Sequence, residues 1–411
     1  MATNSTSGGL DLPQLRVTLT DIAYQGAAVG RANGQVVFAQ YGLPEEEVLV
    51  EVEERHPRYL YGRVTSVLRP SPVRAFPPCP YFGECGGCQW QHASYDAQLS
   101  FKHHLVSEQI SRVANLPELR ILPVIPSPHI WHYHNHARFV ADRGGKLGFR
   151  RLRGREVVPI DFCWIMLLPI NRALKSLQRV DFPPGHEVVV RAGLHTGSTL
   201  VQPSLPVPDL PTGQRYLEEE LLGRRFRISG EAFFQVNTLQ AENLVRLVAS
   251  ALEPGPSDRL LDLYAGVGTF GLALADQVRQ VVEVEEYGPA AEDARNNARG
   301  LDNVEVVESR AEDLAKHVSG PFEIAIVDPP RSGLGASALH ALVALKPRRL
   351  AYVSCDPSTL ARDLRRLADA GYEVLSLQPL DMFPQTFHIE TLAALHWRRS
   401  VYRVSAMYCG D

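Results

Sequence analysis

Arg259-Leu-Leu-Asp-Leu-Tyr-Ala-Gly266-Val-Gly268-Thr-Phe-Gly271 is an apolar run that opens into three closely spaced glycines and then into new apolar sequence. Glycines at the end of an apolar strand let the backbone turn sharply into a following helix. The pattern predicts the first crossover of a doubly wound α/β domain. Further strands are expected at Gln280-Val-Val-Glu-Val-Glu285, Val304-Glu-Val-Val307 and Phe322-Glu-Ile-Ala-Ile-Val327. The first of these ends in Glu285, about twenty positions past the turn, where an acidic side chain would hold a ribose.

The glycine spacing bears on which nucleotide is bound. In its dinucleotide form the turn would cradle a pyrophosphate, whereas here Gly266-x-Gly268 follows Asp262 in a D-x-x-x-G-x-G arrangement. That order favours S-adenosylmethionine, with Asp262 expected near the ammonium group, and leaves NAD as the alternative. Asp328-Pro-Pro-Arg331-Ser-Gly333 then places a carboxylate at a C-terminal strand edge, facing the ligand crevice of such a sheet. A further strand, Leu350-Ala-Tyr-Val353, leads into Ser354-Cys355-Asp356-Pro357 and a helix marked by Leu360, Leu364 and Leu367. A thiol facing a helix N-terminus is a candidate nucleophile, since the free amides favour the thiolate; a buried structural cysteine is the other reading.

The chain before this domain has a different texture. Leu15-Arg-Val-Thr-Leu19, Gln35-Val-Val-Phe38, Glu47 to Glu53 and Leu60 to Leu68 read as short strands punctuated by glycines. They suit a small barrel of about five strands, a form that often binds oligonucleotides. Arg69 to Pro78 is a proline-rich linker. Directly after it, Cys79, Cys85 and Cys88 form a C-x5-C-x2-C cluster whose two internal glycines allow both nearer sulfurs to reach one metal centre. Cys163 is the candidate fourth ligand, and spacing alone leaves zinc and an iron–sulfur cluster both open. A helix is expected over Tyr95 to Val113, with Leu99, Leu105, Val106 and Ile110 as its apolar stripe. Beyond it lie strands and basic loops, including His132-Tyr-His-Asn-His136, read as polar positions of a strand near RNA or solvent.

Composition limits the function classes. A formal net charge of −4 argues against a protein that coats nucleic acid indiscriminately. Yet seven Lys/Arg and one acidic residue lie between Arg138 and Arg155, a local net of +6 that could track a phosphate backbone. Six cysteines, three of them within ten residues, are too few and too uneven for a disulfide scaffold, which points to a reducing, cytoplasmic setting. Met1 to Leu10 is polar and reads as a loose terminus, not a signal peptide, and no apolar run approaches a membrane span.

Taken together, Asp328-Pro-Pro-Arg-Ser-Gly333, Ser354-Cys-Asp-Pro357 and Leu380-Asp-Met-Phe-Pro-Gln-Thr-Phe-His-Ile-Glu390 resemble the RNA (uracil-5-)-methyltransferase family, nearly end to end. The cysteine cluster is similar to that of its iron–sulfur branch. The resemblance implies a multidomain α/β protein: an OB-like TRAM β-barrel (14–72), a central α+β domain with a metal cluster and RNA-binding surface (73–228), and a Rossmann-like class I methyltransferase domain (229–411). It implies Cys79, Cys85, Cys88 and Cys163 as ligands of a [4Fe-4S] cluster. It implies Gln235, Tyr264, Gly266, Gly268, Thr269, Glu285 and Asp328 around S-adenosylmethionine, and Phe233 near the target base. The branch favours large-subunit ribosomal RNA as partner, with tRNA the alternative; no membrane and no protein partner is implied. The chain departs from the family pattern at Asp356, commonly Asn, whose charge is expected to raise the pKa of Cys355, and at Trp164, commonly Pro. The basic run near Tyr133 is thinned to His134 and His136, leaving Arg138.

The implied chemistry needs residues of these types. Carbon 5 of uracil is a poor nucleophile until a thiolate adds to carbon 6, which assigns Cys355 as nucleophile. The carbon 5 hydrogen must then be removed by a general base, for which Glu390 is the candidate; a carboxylate at the start of a helix over Thr391 to Leu395 is its bland alternative. The base must leave its stack to be reached on both faces, and Phe233 would stack on it or fill the gap. The competing readings are an RNA cytosine-5 methyltransferase and a non-catalytic iron–sulfur RNA-binding protein.

Overall fold

The computed structural model describes residues 14–116 and 119–398 of the 411. The polar run Met1 to Leu10 and the expected domain's residues beyond 398 lie outside the described residues.

Strands β1 (Gln14–Ile22), β2 (Ala28–Ala32), β3 (Gln35–Gln40), β4 (Glu47–Arg55) and β5 (Tyr59–Arg69) close into a barrel in the order β1-β2-β3-β5-β4. Alternation drives the closure: Val17 and Leu19 of β1 and Val48, Val50 and Val52 of β4 are buried in one core, with Thr18, Leu49 and Glu51 between them turned outward. Where β5 crosses β4, any side chain at Gly62 would strike the carbonyl of Glu51.

Helix α1 (Tyr95–Gln109) follows and carries on through a wider turn, Ile110–Ala114. Of its expected stripe, Leu105, Val106 and Ile110 are buried and Leu99 is half-buried. The middle of the chain is a five-stranded antiparallel sheet, ordered β10-β9-β6-β7-β8, built from β6 (His136–Ala141), β7 (Leu147–Arg150), β8 (Val157–Pro159), β9 (Glu187–Ala192) and β10 (Thr199–Gln202). Helix α2 (Leu168–Leu177) places Ile170, Ala173, Leu174 and Leu177 in one core with Phe139, Val188 and Val190. A hairpin, β11 (Tyr216–Leu221) and β12 (Arg224–Ser229), leads to α3 (Thr238–Leu252), whose N-terminus is capped by the Asn237 side chain accepting from the amide of Gln240.

The last part alternates strand and helix: β13 (Arg259–Leu263), α4 (Gly271–Leu274), β14 (Gln280–Glu285), α5 (Gly288–Asn297), β15 (Val304–Glu308), α6 (Leu314–His317), β16 (Ile324–Val327), α7 (Ala336–Leu345), β17 (Arg349–Ser354), α8 (Pro357–Asp369), β18 (Tyr372–Leu380) and β19 (Glu390–Trp397). Its seven strands run β15-β14-β13-β16-β17-β19-β18, parallel except for β19, which inserts antiparallel between β17 and β18. The strands are apolar because both faces are covered. The order reverses between β13 and β16, and ligands bind at the carboxyl ends of strands at such a switch point. Glu390 opens a strand, so the helix-start reading of that carboxylate does not hold.

Candidate active site

Antiparallel pairing of β17 with β19 sets Ser354 opposite Thr391. Cys355, one residue past the end of β17, and Glu390, the first residue of β19, therefore meet at the same end of the sheet. Asp328 lies one residue past β16 at that end and accepts a hydrogen bond from Gln235 Nε2 at 3.2 Å. Cys355, Glu390, Asp328 and Gln235, which are far apart in sequence, thus converge on one crevice.

Burial dominates the electrostatics. The Cys355 thiol is pushed up to about 12, first by burial and then by the negative charge of Glu390, with Arg331 acting in the opposite direction. The first free amides of α8 donate to Asp356 and not to the thiol. Glu390 is itself buried and held well above the usual carboxylate range, by burial and then by Asp328; its Oε1 has no hydrogen-bond partner. Asp328 is raised to about 7 by burial. Asp356, expected to act on the thiol, does something else. It caps α8, accepting at Oδ1 from the amides of Ser358 and Thr359 at 3.0 and 2.9 Å; burial pushes its pKa up, but the Ser358 and Tyr24 hydroxyls, and then these amides, bring it below the usual value.

At the end of β13 the chain turns through positive φ at Tyr264 (63°), Gly266 (60°) and Gly268 (90°). Any side chain at Gly268 would press on Leu272 and on Glu283 Oε1. Glu285 ties the turn to the next strand: its Oε2 accepts from the Gly266 amide at 2.9 Å and its Oε1 from the Tyr287 amide at 2.7 Å. Thr269 is buried beside the turn. Asp262 does not face the crevice; it is fully buried, accepts from the Gly271 amide at 2.7 Å, and is pushed up to about 8 by its surroundings, burial first. Its carboxylate is engaged by the first amide of α4, inside the protein. Phe233 stands 63% exposed, and its carbonyl lies against Gly266.

A family model described as tRNA (uracil-5-)-methyltransferase matches residues 212–398, and one described as TRAM domain matches residues 14–65. An uncharacterized RNA methyltransferase of Thermosynechococcus vestitus is 32% identical over 93% of this chain and 97% of its own length. The chain belongs to the RNA (uracil-5-)-methyltransferase family. It is accordingly an S-adenosylmethionine-dependent RNA methyltransferase. An uncharacterized RNA methyltransferase of Streptomyces coelicolor is 33% identical over 93% of this chain and 92% of its own length. Among solved structures, Pyrococcus abyssi tRNA (uracil-54, C5)-methyltransferase in complex with S-adenosyl-L-homocysteine superposes with a TM-score of 0.73 at 28% identity, covering 93% of this chain and 100% of that one.

In this family member the four cysteines Cys79, Cys85, Cys88 and Cys163 line one cavity of about 310 Å³. Burial raises all four thiols, Cys163 to about 12, and neighbouring sulfurs add to the rise at Cys88. No group of three or more His, Cys, Asp or Glu among the described residues is drawn tightly enough to hold a metal ion. His134 and His136 are not strand positions turned to solvent. They are half-buried, line the cysteine cavity, and have pKa values lowered to about 4 and about 3, chiefly by burial. Arg138 lines the same cavity and pairs with Glu187 at 3.1 Å, across β6 and β9.

Three further residues bear on the crevice. Arg331 acts on the Cys355 thiol, and its Nη2 lies 3.3 Å from His388 Nδ1. His388 is held neutral, lowered to about 3 by burial and by Arg331. Lys102 of α1 is fully buried against Asp381, with Nζ to Oδ1 at 2.5 Å, and so ties α1 to the segment leading into Glu390. Of the three, sequence flagged only Arg331, as the residue after Asp-Pro-Pro.

Proposed function

We propose that the protein transfers the methyl group of S-adenosylmethionine to carbon 5 of a uridine in RNA through a covalent bond between Cys355 and carbon 6. The observation that carries this reading is the meeting of Cys355 and Glu390 across β17 and β19, a nucleophile and a base at one end of one sheet. Cys355 loses its proton to water and its thiolate adds to carbon 6, sending an electron pair through carbon 5 into an enolate. Carbon 5 then attacks the methyl group of the sulfonium, whose carbon–sulfur bond breaks with its electron pair going to sulfur, so that S-adenosylhomocysteine leaves. The Glu390 carboxylate accepts the carbon 5 hydrogen as a proton, the double bond re-forms, and the thiolate is expelled. A raised carboxyl pKa makes Glu390 the stronger proton acceptor once it is ionised.

Gln235, Tyr264, Gly266, Gly268, Thr269, Glu285 and Asp328 are assigned to the methyl donor because they ring the turn at the switch point. Phe233, exposed beside that turn, is assigned to stack on or replace the flipped base, and Arg138 to a phosphate that would compete with Glu187. Division near residues 72 and 228 gives the barrel, the cysteine-bearing middle and the methyltransferase domain.

Cys79, Cys85, Cys88 and Cys163 are assigned to a [4Fe-4S] cluster. What supports the assignment is that four thiols from two distant stretches of the chain line one cavity, together with the resemblance of the cysteine spacing to the iron–sulfur branch. The cluster would position the RNA-facing elements around it, as nothing in the methyl transfer moves electrons. Colourless, iron-free protein of full activity would refute this assignment.

The chemistry is tested with 5-fluorouridine RNA, which halts the reaction as a protein–RNA adduct. Wild type forms the adduct and Cys355→Ala neither forms it nor methylates, whereas Glu390→Gln accumulates adduct on ordinary RNA. Indistinguishable methyl incorporation by wild type and Cys355→Ala would refute the reading. For the substrate we favour 23S ribosomal RNA. The likeness to a tRNA (uracil-54, C5)-methyltransferase favours the second reading, tRNA. Mapping 5-methyluridine in both RNAs from a strain lacking this protein separates the two.

A further inference from the structure

The barrel reaches the catalytic turn directly. Its β1–β2 turn is closed by Ala23 N–H to the Ala27 carbonyl at 2.8 Å and Gly26 N–H to the Ala23 carbonyl at 2.9 Å. The Trp90 indole N–H donates to the Gly26 carbonyl at 3.0 Å, and Gly26, at φ 90°, lies close against Phe387. Held in this way, the turn presents Tyr24, whose hydroxyl donates to Asp356 Oδ2 at 2.5 Å across 332 positions of sequence. The Tyr24 ring also meets Phe387 edge-on, with centroids 6.2 Å apart.

Asp356 therefore serves two masters: Oδ1 caps α8 and Oδ2 is held by the barrel. Cys355 is enclosed between Asp356 and Ser354, because Ser354 Oγ accepts from the Asp356 amide at 3.2 Å and donates to the Asp356 carbonyl at 3.1 Å. Within so short a closed loop, a rotation at Asp356 cannot occur without moving Cys355. Phe387 passes the same restraint along a second route, since it lies 4.1 Å, centroid to centroid, from His388, which faces Arg331.

We propose that Tyr24 is a positioning residue for the nucleophile, holding Asp356 so that the turn bearing Cys355 is aligned by the barrel itself. The proposal rests on Cys355 being the nucleophile. It gives the barrel a share in the chemistry beyond gripping RNA, because a displacement of its β1–β2 turn would reach the thiol through one hydrogen bond.

The test is the single-turnover rate of adduct formation with 5-fluorouridine RNA. Tyr24→Phe keeps the ring against Phe387 and removes only the hydroxyl. It should slow adduct formation roughly ten- to hundredfold, the scale of loss when a reacting group is misaligned, while leaving RNA affinity, S-adenosylhomocysteine affinity and the thermal midpoint as in wild type. Asp356→Asn keeps its one oxygen on the α8 amides and can meet Tyr24 only by donating from Nδ2 to the phenol oxygen, so it should lose less rate than Asp356→Ala, to which adding Tyr24→Phe should cost nothing further. A wild-type rate in Tyr24→Phe, or a loss matched by weaker RNA binding or a lower midpoint, overturns the positioning role. Methylation by Cys355→Ala would instead overturn the reading beneath it.

Discussion

Lys102 and Asp381 offer a sharp quantitative test of how the active-site segment is held. Both side chains are completely buried, and Lys102 Nζ contacts Asp381 Oδ1 at 2.5 Å and the Phe383 carbonyl at 3.0 Å. Lys102→Met removes the cation and leaves Asp381 Oδ1 with only the Phe383 amide at 3.2 Å, while Oδ2 has no partner already. Removing one member of a buried ion pair costs about 3–5 kcal/mol, because the remaining charge stays desolvated. With a denaturant slope of ~1–3 kcal/mol/M, that lowers the urea midpoint by about 1 M or more. Replacing both residues, as Lys102→Met with Asp381→Leu, removes the orphaned charge and should restore most of the loss. Tryptophan fluorescence during urea unfolding measures all three proteins. Equal destabilisation of the single and double variants, or a single-variant loss below about 1 kcal/mol, would refute the ion-pair account, since a charge left unpaired in an apolar site cannot cost so little. Asp381 begins the segment that delivers His388 and Glu390, so the single variant should also resolve its RNA adduct more slowly.

Alkylation of Cys355 by iodoacetamide should accelerate about tenfold per pH unit from pH 7 to 9, because a thiol raised to about 12 is ionised in proportion to hydroxide throughout that range. A plateau within it would show the thiolate is already formed. His92 is buried with its pKa lowered to about 4, so below about pH 6.5 the unfolded chain binds a proton that the native one refuses; stability then falls with falling pH by about 1.4 kcal/mol per unit until near pH 4. His92→Gln should remove that component, which paired urea titrations at pH 7 and 5 would measure as a difference of about 2 kcal/mol. Gly268→Ala combines positive φ with contacts on Leu272 and Glu283, and an overpacking cost of about 1–3 kcal/mol should weaken S-adenosylhomocysteine binding about tenfold or more by calorimetry.

What the sequence made legible follows from how local the signals are. The glycine turn after β13, four of the five barrel strands and helix α1 each declare themselves within a dozen or so residues, through alternation, glycine placement or helical spacing, whereas the short β2 does not. Cys355 and Glu390 could each be singled out, but their meeting depends on the antiparallel register of β19, which no local pattern carries. The expected action of Asp356 on the thiol came from adjacency along the chain. In the fold its carboxylate points to the α8 amides and to Tyr24, and the charges acting on the thiol come from Glu390, Arg331 and Asp328. Asp262 was read from its place near the strand end, but its carboxylate is buried on the Gly271 amide at the start of α4. The histidines beside Tyr133 read as surface because their neighbours in sequence are polar, and only the tertiary fold brings the cysteine cavity to them.

The insertion of β19 between β17 and β18 also sets an order of assembly. A nascent chain that has reached Asp381 already holds the barrel, the donor turn and the thiol, yet β17 at that moment is an open sheet edge with β18 unable to pair beside it. Only when residues 390–397 emerge can the gap be filled, and the same event delivers the carboxylate of Glu390 to the sheet edge. If Glu390 is the base proposed above, a chain lacking this strand would be equipped to seize RNA but not to let it go, and the strand that completes the sheet would also be the one that lets the enzyme turn over.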